Sequence, residues 1–150
     1  MYGTLAEAET YFTNRLHVDA WTEALDADKT KALNEAQMRI DLLNFTGEEV
    51  TDGTVFPRYY GDEADGTETI PDNILIAGYE CAFALLDGVD PEFEQENLAV
   101  SNEAYSSVRT SYARSQGAPE HLAAGIPSAY AWRFLQQYLK TPGKVSFHRI

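Results

Sequence analysis

The run Asn73-Ile74-Leu75-Ile76-Ala77-Gly78-Tyr79-Glu80-Cys81-Ala82-Phe83-Ala84-Leu85-Leu86 constrains this chain more than any other stretch. It has helical length and follows Ile70-Pro71-Asp72, where a proline suits the first turn of a helix. It is also apolar nearly all round, and a helix with no polar stripe cannot lie on a surface. It needs neighbours on most sides, so the sequence predicts a bundle built around it. Gly88 suits its end, and Pro91 is expected to bar its return.

Weaker signals supply the neighbours. Thr4-Leu5-Ala6-Glu7 reads as a capping box, with the threonine accepting from the third helical N–H and the glutamate reaching back. Leu5, Ala8, Phe12 and Leu16 recur at helical spacing behind it, giving a first helix from about Thr4 to Asn14. Asp19 opens a short second helix through Leu25. Asp26 or Asp28 then caps a third, the best amphipathic helix in the chain, with Ala32, Leu33, Ala36, Ile40 and Leu43 on one face. Asn44 and Gly47 suit its C-terminal end. A last helix from Pro127 to Lys140 carries Tyr130, Ala131, Phe134, Leu135, Tyr138 and Leu139.

Two stretches do not fit this pattern. Residues 46–69 form a long loop with four glycines, several acids and the segment Val55-Phe56-Pro57-Arg58-Tyr59-Tyr60. Loops of such length without structure of their own are usually functional or mobile. Around residues 98–113 apolar and polar residues alternate in places. This reads as a pair of strands turning at Ser101-Asn102 or as an extended linker. The expected fold is therefore mainly α: a four- or five-helix bundle, a long loop at about 46–69, and a small extended or β element before the C-terminal helix and tail. All of it belongs to one domain, 1–150, with a helical core over 1–90, an extended segment and loop over 91–126, and the last helix and a basic tail over 127–150.

Charge narrows the function classes. The first 120 residues hold 7 basic and 24 acidic side chains, net −17, whereas the last 30 hold four basic side chains and no acidic one. An acidic body repels nucleic acid, whose binding rests on Lys and Arg neutralising phosphates. The basic end could seek an acidic partner. The single cysteine, Cys81, excludes an internal disulfide and fits folding in a reducing cytoplasm. The first ten residues lack the basic and apolar regions of a secretory signal, and no run is apolar enough to cross a bilayer.

The residues give no reason to expect an enzyme. His17, His121 and His148 lie in different segments, none with a carboxylate or cysteine at ligand spacing, so no metal is expected. Cys81 sits in the most apolar helix, where a thiol is inert. Asp62-Glu63-Ala64-Asp65-Gly66 hints at a calcium loop, but its glycine comes one position early and the terminal glutamate is missing. No phosphate-cradling glycine motif precedes a helix, and no serine sits in a nucleophile elbow. No cofactor is implied. Tyr59, Tyr60, Tyr105 and Tyr112 could stack bases, but a single-strand binder also needs a basic groove; Arg58, Arg109 and Arg114 stand isolated among acids.

The order of "DAWTEALDADKTKALNEAQMRIDLL", "FTG", "FPR" and "IPDNILIAGYECAFALL" resembles the head–tail connector proteins of tailed phages, also called adaptor or head-completion proteins. Part of that family carries the label DnaT-like single-stranded-DNA-binding protein. "NEAYSSVRTSYA", "IPSAYAWRFLQQYL" and "GKVSFHRI" follow in order. The family pattern has a glycine near Ala104–Ser107 where this chain has none.

The resemblance implies a structural protein of the virion neck, made in the host cytoplasm. It implies a ring of neighbouring copies, expected as a dodecamer, below the portal protein, with a downstream neck or tail completion protein on its other face and DNA only passing through the lumen. No membrane is involved. On this reading Lys140, Lys144, Val145, Phe147, His148, Arg149 and Ile150 form an arm that docks on the portal. Phe56, Pro57, Arg58, Tyr59 and Tyr60 form a contact with the neighbouring subunit, or else fold back on their own bundle. The acidic stretch after them faces the channel or a downstream partner. A second function class stays open: a single-stranded-DNA-binding accessory protein of phage replication.

Overall fold

A computed structural model describes residues 1–104 and 119–140. Its elements are α1 (Leu5–Thr13), α2 (Asp19–Glu23), α3 (Asp26–Asp41), β1 (Glu48–Glu49), β2 (Arg58–Tyr59), α4 (Asp72–Leu86), α5 (Pro91–Ala104), α6 (Glu120–Ala123) and α7 (Ala129–Leu135). The fold is mainly helical, as the apolar pattern requires. α4 is the central helix: α3 and α7 pack along it most extensively, and α1 and α2 touch it as well. Ile74, Ala77, Gly78, Tyr79, Cys81 and Ala82 are all buried. Gly88, at φ +92°, takes the left-handed conformation that closes the helix, and Val89 N–H bonds the Ala84 carbonyl at 3.1 Å.

The capping box at α1 is complete. Glu7 N–H donates to Thr4 Oγ1 at 3.1 Å and Thr4 N–H donates to Glu7 Oε2 at 2.7 Å. Ala8 and Phe12 bury the inner face of the helix, and the Phe12 ring lies 4.4 Å from that of Trp21. In α3 the expected face is the buried one, Ala32, Leu33, Ala36 and Ile40, together with Lys29. The helix ends at Asp41, earlier than Asn44 and Gly47 suggested.

Three expectations need correction. The strand pair or extended linker expected from residue 98 is helical as far as Ala104, because α5 runs over Pro91–Ala104; residues 105–113 lie outside the described residues. Pro91 does not bar a helix but starts one. Asp90 Oδ1 accepts from the N–H groups of Glu92 and Phe93, both at 3.1 Å, and proline follows at the first helical position, where a missing N–H costs nothing. Glu92 and Glu94 in that first turn complement the helix dipole. The C-terminal helix is also shorter than expected. α7 covers Ala129–Leu135, a 3-10 turn follows over Gln136–Tyr138, and the chain is extended at Leu139.

The long loop contains a small hairpin. β1 and β2 pair antiparallel, Glu48 opposite Tyr59 and Glu49 opposite Arg58. Beside it, Phe45 and Leu139 form an isolated antiparallel bridge. Thr46 N–H donates to the Tyr138 carbonyl at 2.8 Å and Lys140 N–H donates to the Asn44 carbonyl at 3.0 Å. The end of α3 and the chain after α7 are thus stitched together.

Candidate functional site

The side chains of the loop segment part company. Phe56 is 2% exposed and packs edge-on against Phe45, with ring centroids 4.7 Å apart, and against Tyr2 at 6.0 Å. Burying such a ring is worth about 2–3 kcal/mol, so it belongs to the core of its own bundle. The peptide bond to Pro57 is cis. Arg58 points inward as well: Nε donates to the Thr46 carbonyl at 2.8 Å, Nη2 to the Gly47 carbonyl at 2.9 Å and Nη1 to the Val55 carbonyl at 3.1 Å. Its guanidinium is the internal strut of the loop.

Tyr59 is half-buried and Tyr60 is 57% exposed. The Tyr60 ring lies over Gly47, where an added Cβ would stand 2.6 Å from the ring and 2.7 Å from the Tyr59 carbonyl oxygen. Gly47 also sits at φ +79°, so this tight approach requires glycine twice over. Of the five residues, Tyr60 presents most to the outside. Among the expected docking residues Lys140 lines a cavity; Lys144, Val145, Phe147, His148, Arg149 and Ile150 lie outside the described residues.

That cavity is a concave feature of the described surface. It holds about 500 Å³ and lies where the end of α3 meets α6 and α7. Leu42, Leu43, Ala124, Trp132 and Leu139 form its apolar wall, with Glu120 and Lys140 among its polar members. A second hollow of about 370 Å³ adjoins it through Leu42 and Ala124, lined also by Met38, Glu35, Arg39 and Glu92. Met38 and Leu42, one helical turn apart, are 68% and 83% exposed. Isolated exposed apolar side chains are ordinary, but two at the lip of an apolar hollow make a patch suited to protein contact. Trp132 contributes an indole N–H that is buried without an acceptor.

The amphipathic reading of α3 placed Leu43 on the inner face and left Met38 and Leu42 unremarked. The signal was their spacing of four on the opposite side, in a helix otherwise charged there. Trp132 gave no such signal, because it is one of several aromatic residues in a short helix.

The cations of the body are largely engaged. Arg15 grips the buried Glu80, with Nε at 2.9 Å from Oε2 and Nη2 at 3.3 Å from Oε1, while the Tyr11 hydroxyl donates to Oε2 at 2.6 Å. Burial and this carboxylate push the Tyr11 hydroxyl pKa up. Lys29 Nζ lies 2.7 Å from Glu9 Oε1, and Trp21 Nε1 donates to Glu9 Oε2 at 3.2 Å. The Lys29 hydrogen bond in particular holds the Glu9 carboxyl below its ordinary range. Arg39 makes a two-pronged contact with Glu92 at 2.8 and 3.0 Å, bonds Glu35 at 3.2 Å and donates to the Gly125 carbonyl at 2.8 Å. Glu92 is held low by it in turn. With the Lys31–Asp28 pair at 3.8 Å and the Arg58–Glu49 pair at 4.0 Å, five cationic side chains have carboxylate partners.

Among the described residues no cluster of His, Cys, Asp and Glu could hold a metal ion, and no helix is long and apolar enough to cross a membrane. Burial pushes the Cys81 thiol pKa far up, away from nucleophilic use.

A family profile described as "Putative DnaT-like ssDNA binding protein" matches residues 1–149. The chain belongs to this family. The description carries the DnaT-like label of the resemblance and does not mention head–tail connection. No curated protein and no solved structure matches the chain.

Proposed function

We propose that this member of the DnaT-like family is a structural protein of the phage neck: copies form a ring that joins the portal of the head to the tail and lets DNA pass, with no catalytic step. The observation that carries this reading is electrostatic. The body is strongly acidic, and its described arginines and lysines are mostly held in intramolecular ion pairs, so little positive charge is left to grip phosphates. A wall of that kind suits a channel through which DNA slides without sticking. The exposed apolar side chains Met38, Leu42 and Tyr60 supply the material for protein contacts. The basic C-terminal arm from Lys140 to Ile150 is the part offered to the portal.

The printed description of the family favours a second reading, a single-stranded-DNA-binding accessory protein of phage replication. In that case the binding cations are Arg133, Lys140 or residues outside the described ones. One experiment separates the two. Purified protein is mixed with the portal protein of the same genome and imaged by electron microscopy, and in parallel is passed over immobilised single-stranded DNA at rising salt. Extra ring density at one end of the portal, lost when residues 144–150 are deleted, is the expected result. No portal binding together with retention on DNA that falls steeply with salt would replace the neck reading by the replication one.

A further inference from the structure

We propose that the two hollows beside the C-terminal half of α3 are one groove that receives a basic amphipathic helix of another protein. The groove is continuous, because Leu42 and Ala124 line both of its parts. One wall is a stripe along α3 and its C-cap: Glu35, Met38 and Leu42 are spaced by three and four residues, so they share a face. From Glu35 to Leu42 that wall runs about 10 Å, roughly two helical turns. Ala124 and Gly125 form the other wall, held to the first by the bond from Arg39 to the Gly125 carbonyl at 2.8 Å. An apolar trough of that length, with Met38 and Leu42 exposed at its lip, suits side chains that a partner helix presents on one face at successive turns.

Charge selects the occupant. Arg39 bonds both Glu35 and Glu92, yet its side chain is only 18% exposed whereas the two acidic side chains are 51% and 59% exposed. The rim therefore shows carboxylate to the solvent and keeps its counter-charge beneath. Glu120, also exposed, adds a third carboxylate, and α3 ends here with the negative pole of its dipole. Among the lining residues Lys140 is the one exposed cation. A second copy of the chain is disfavoured on the same ground, since it brings a net charge of −13 to an acidic rim. A helix with leucine-like side chains on one face and lysine or arginine beside them satisfies trough and rim together. The inference goes beyond the neck reading and holds whichever function the protein serves.

Three synthetic peptides of equal length test it: an amphipathic helix of leucine and lysine, the same pattern in leucine and glutamate, and the same charges in serine and lysine. Each is titrated into the ¹⁵N-enriched full chain and followed by its amide spectrum. The expected result is a saturable shift of the Met38, Leu42, Ala124 and Gly125 peaks with the leucine–lysine peptide, at an affinity at least tenfold above that of the other two. Leu42→Gln should weaken it about tenfold and Glu120→Gln severalfold. Both side chains are exposed, so neither change unfolds the bundle, which the dispersion of the remaining peaks checks. Absence of a shift at these amides would overturn the proposal. Equal binding of the serine–lysine peptide would reduce it to attraction by an acidic surface, and equal binding of the leucine–glutamate peptide would remove the charge selection; either refutes it. A shift at the same amides that grows with protein concentration and needs no peptide would give the groove to a second copy and refute it as well.

Discussion

Glu80 offers the sharpest test of how this bundle is held together. It is 1% exposed in the middle of the most apolar helix, and its carboxylate is met by Arg15 through two nitrogens and by the Tyr11 hydroxyl. Removing one partner of a buried ion pair costs about 3–5 kcal/mol, because the other charge is left uncompensated. The Arg15 side chain is 31% exposed, so water follows when the guanidinium leaves, and Tyr11 still donates. Arg15→Ala should therefore cost about 2–3 kcal/mol, below the fully buried range. Part of that is the stacking of Arg15 over the Tyr130 ring at 5.1 Å, which ties α7 to the end of α1. Replacing the pair by apolar groups, Arg15→Met with Glu80→Leu, should cost much less than the sum of the two single changes, because no charge is stranded. The assay is urea unfolding followed by far-UV circular dichroism on the four proteins of the cycle. If the single effects sum to the double effect within about 0.5 kcal/mol, the carboxylate is not held by Arg15 and the account of the clamp is wrong.

Three further outcomes follow from the same geometry. Arg58→Ala removes three bonds to loop carbonyls, and at about 2 kcal/mol it should lower the melting temperature by roughly 4–8 °C in a thermal scan; an unchanged melting temperature would mean that water serves those carbonyls equally well. Thr4→Ala removes the side-chain acceptor of the α1 capping box and should cost about 1 kcal/mol, read by the same unfolding assay. Glu9 and Glu92 are both held below the ordinary value of 4.5, so the stability they contribute is present above that pH and is lost as pH falls through their lower folded values; Glu92→Gln should flatten the acid limb of a stability-versus-pH curve, and an unaltered limb would count against the Arg39 pairing.

The central helix, the capping box and the inner face of α3 were legible because each rests on local chemistry: a missing polar stripe, a reciprocal pair of hydrogen bonds, a spacing of three and four. The region after Gly88 was not, for an equally local reason. Asp90-Pro91 reads as a break or as a beginning depending on whether the aspartate turns back to cap the N–H groups that follow, and only the geometry decides. The loop shows another limit. Phe56, Arg58 and Tyr60 look alike as contact residues in a line of sequence, yet one is core, one is a strut and one is exposed. Nothing in residue type separates them, since the distinction depends on carbonyls at Thr46 and Gly47 and on rings at Tyr2 and Phe45, which the fold brings up from elsewhere. The cavity was invisible for the same reason, because its wall draws on three helices and a bridge.

The ion pairs carry an argument of their own about nucleic acid. Arg15 joins the end of α1 to α4, Lys29 joins α3 to α1, and Arg39 joins α3 to α5 and to the turn before α7. Each of these cations spans elements distant in sequence, and Lys29 is itself buried. A phosphate that recruited one of them would have to displace a carboxylate at 2.7–2.9 Å and strand it beside the core, as at Glu80. Binding through these residues would have to offset the broken clamp, which leaves little net affinity for the folded state. Binding through cations that carry no structural duty, such as Arg133 or Lys140, avoids that cost and would raise the melting temperature, as any ligand of the folded state does. A thermal scan with and without single-stranded DNA thus separates two cases. A rise means a site built apart from the clamps, and no change is what an acidic channel wall requires.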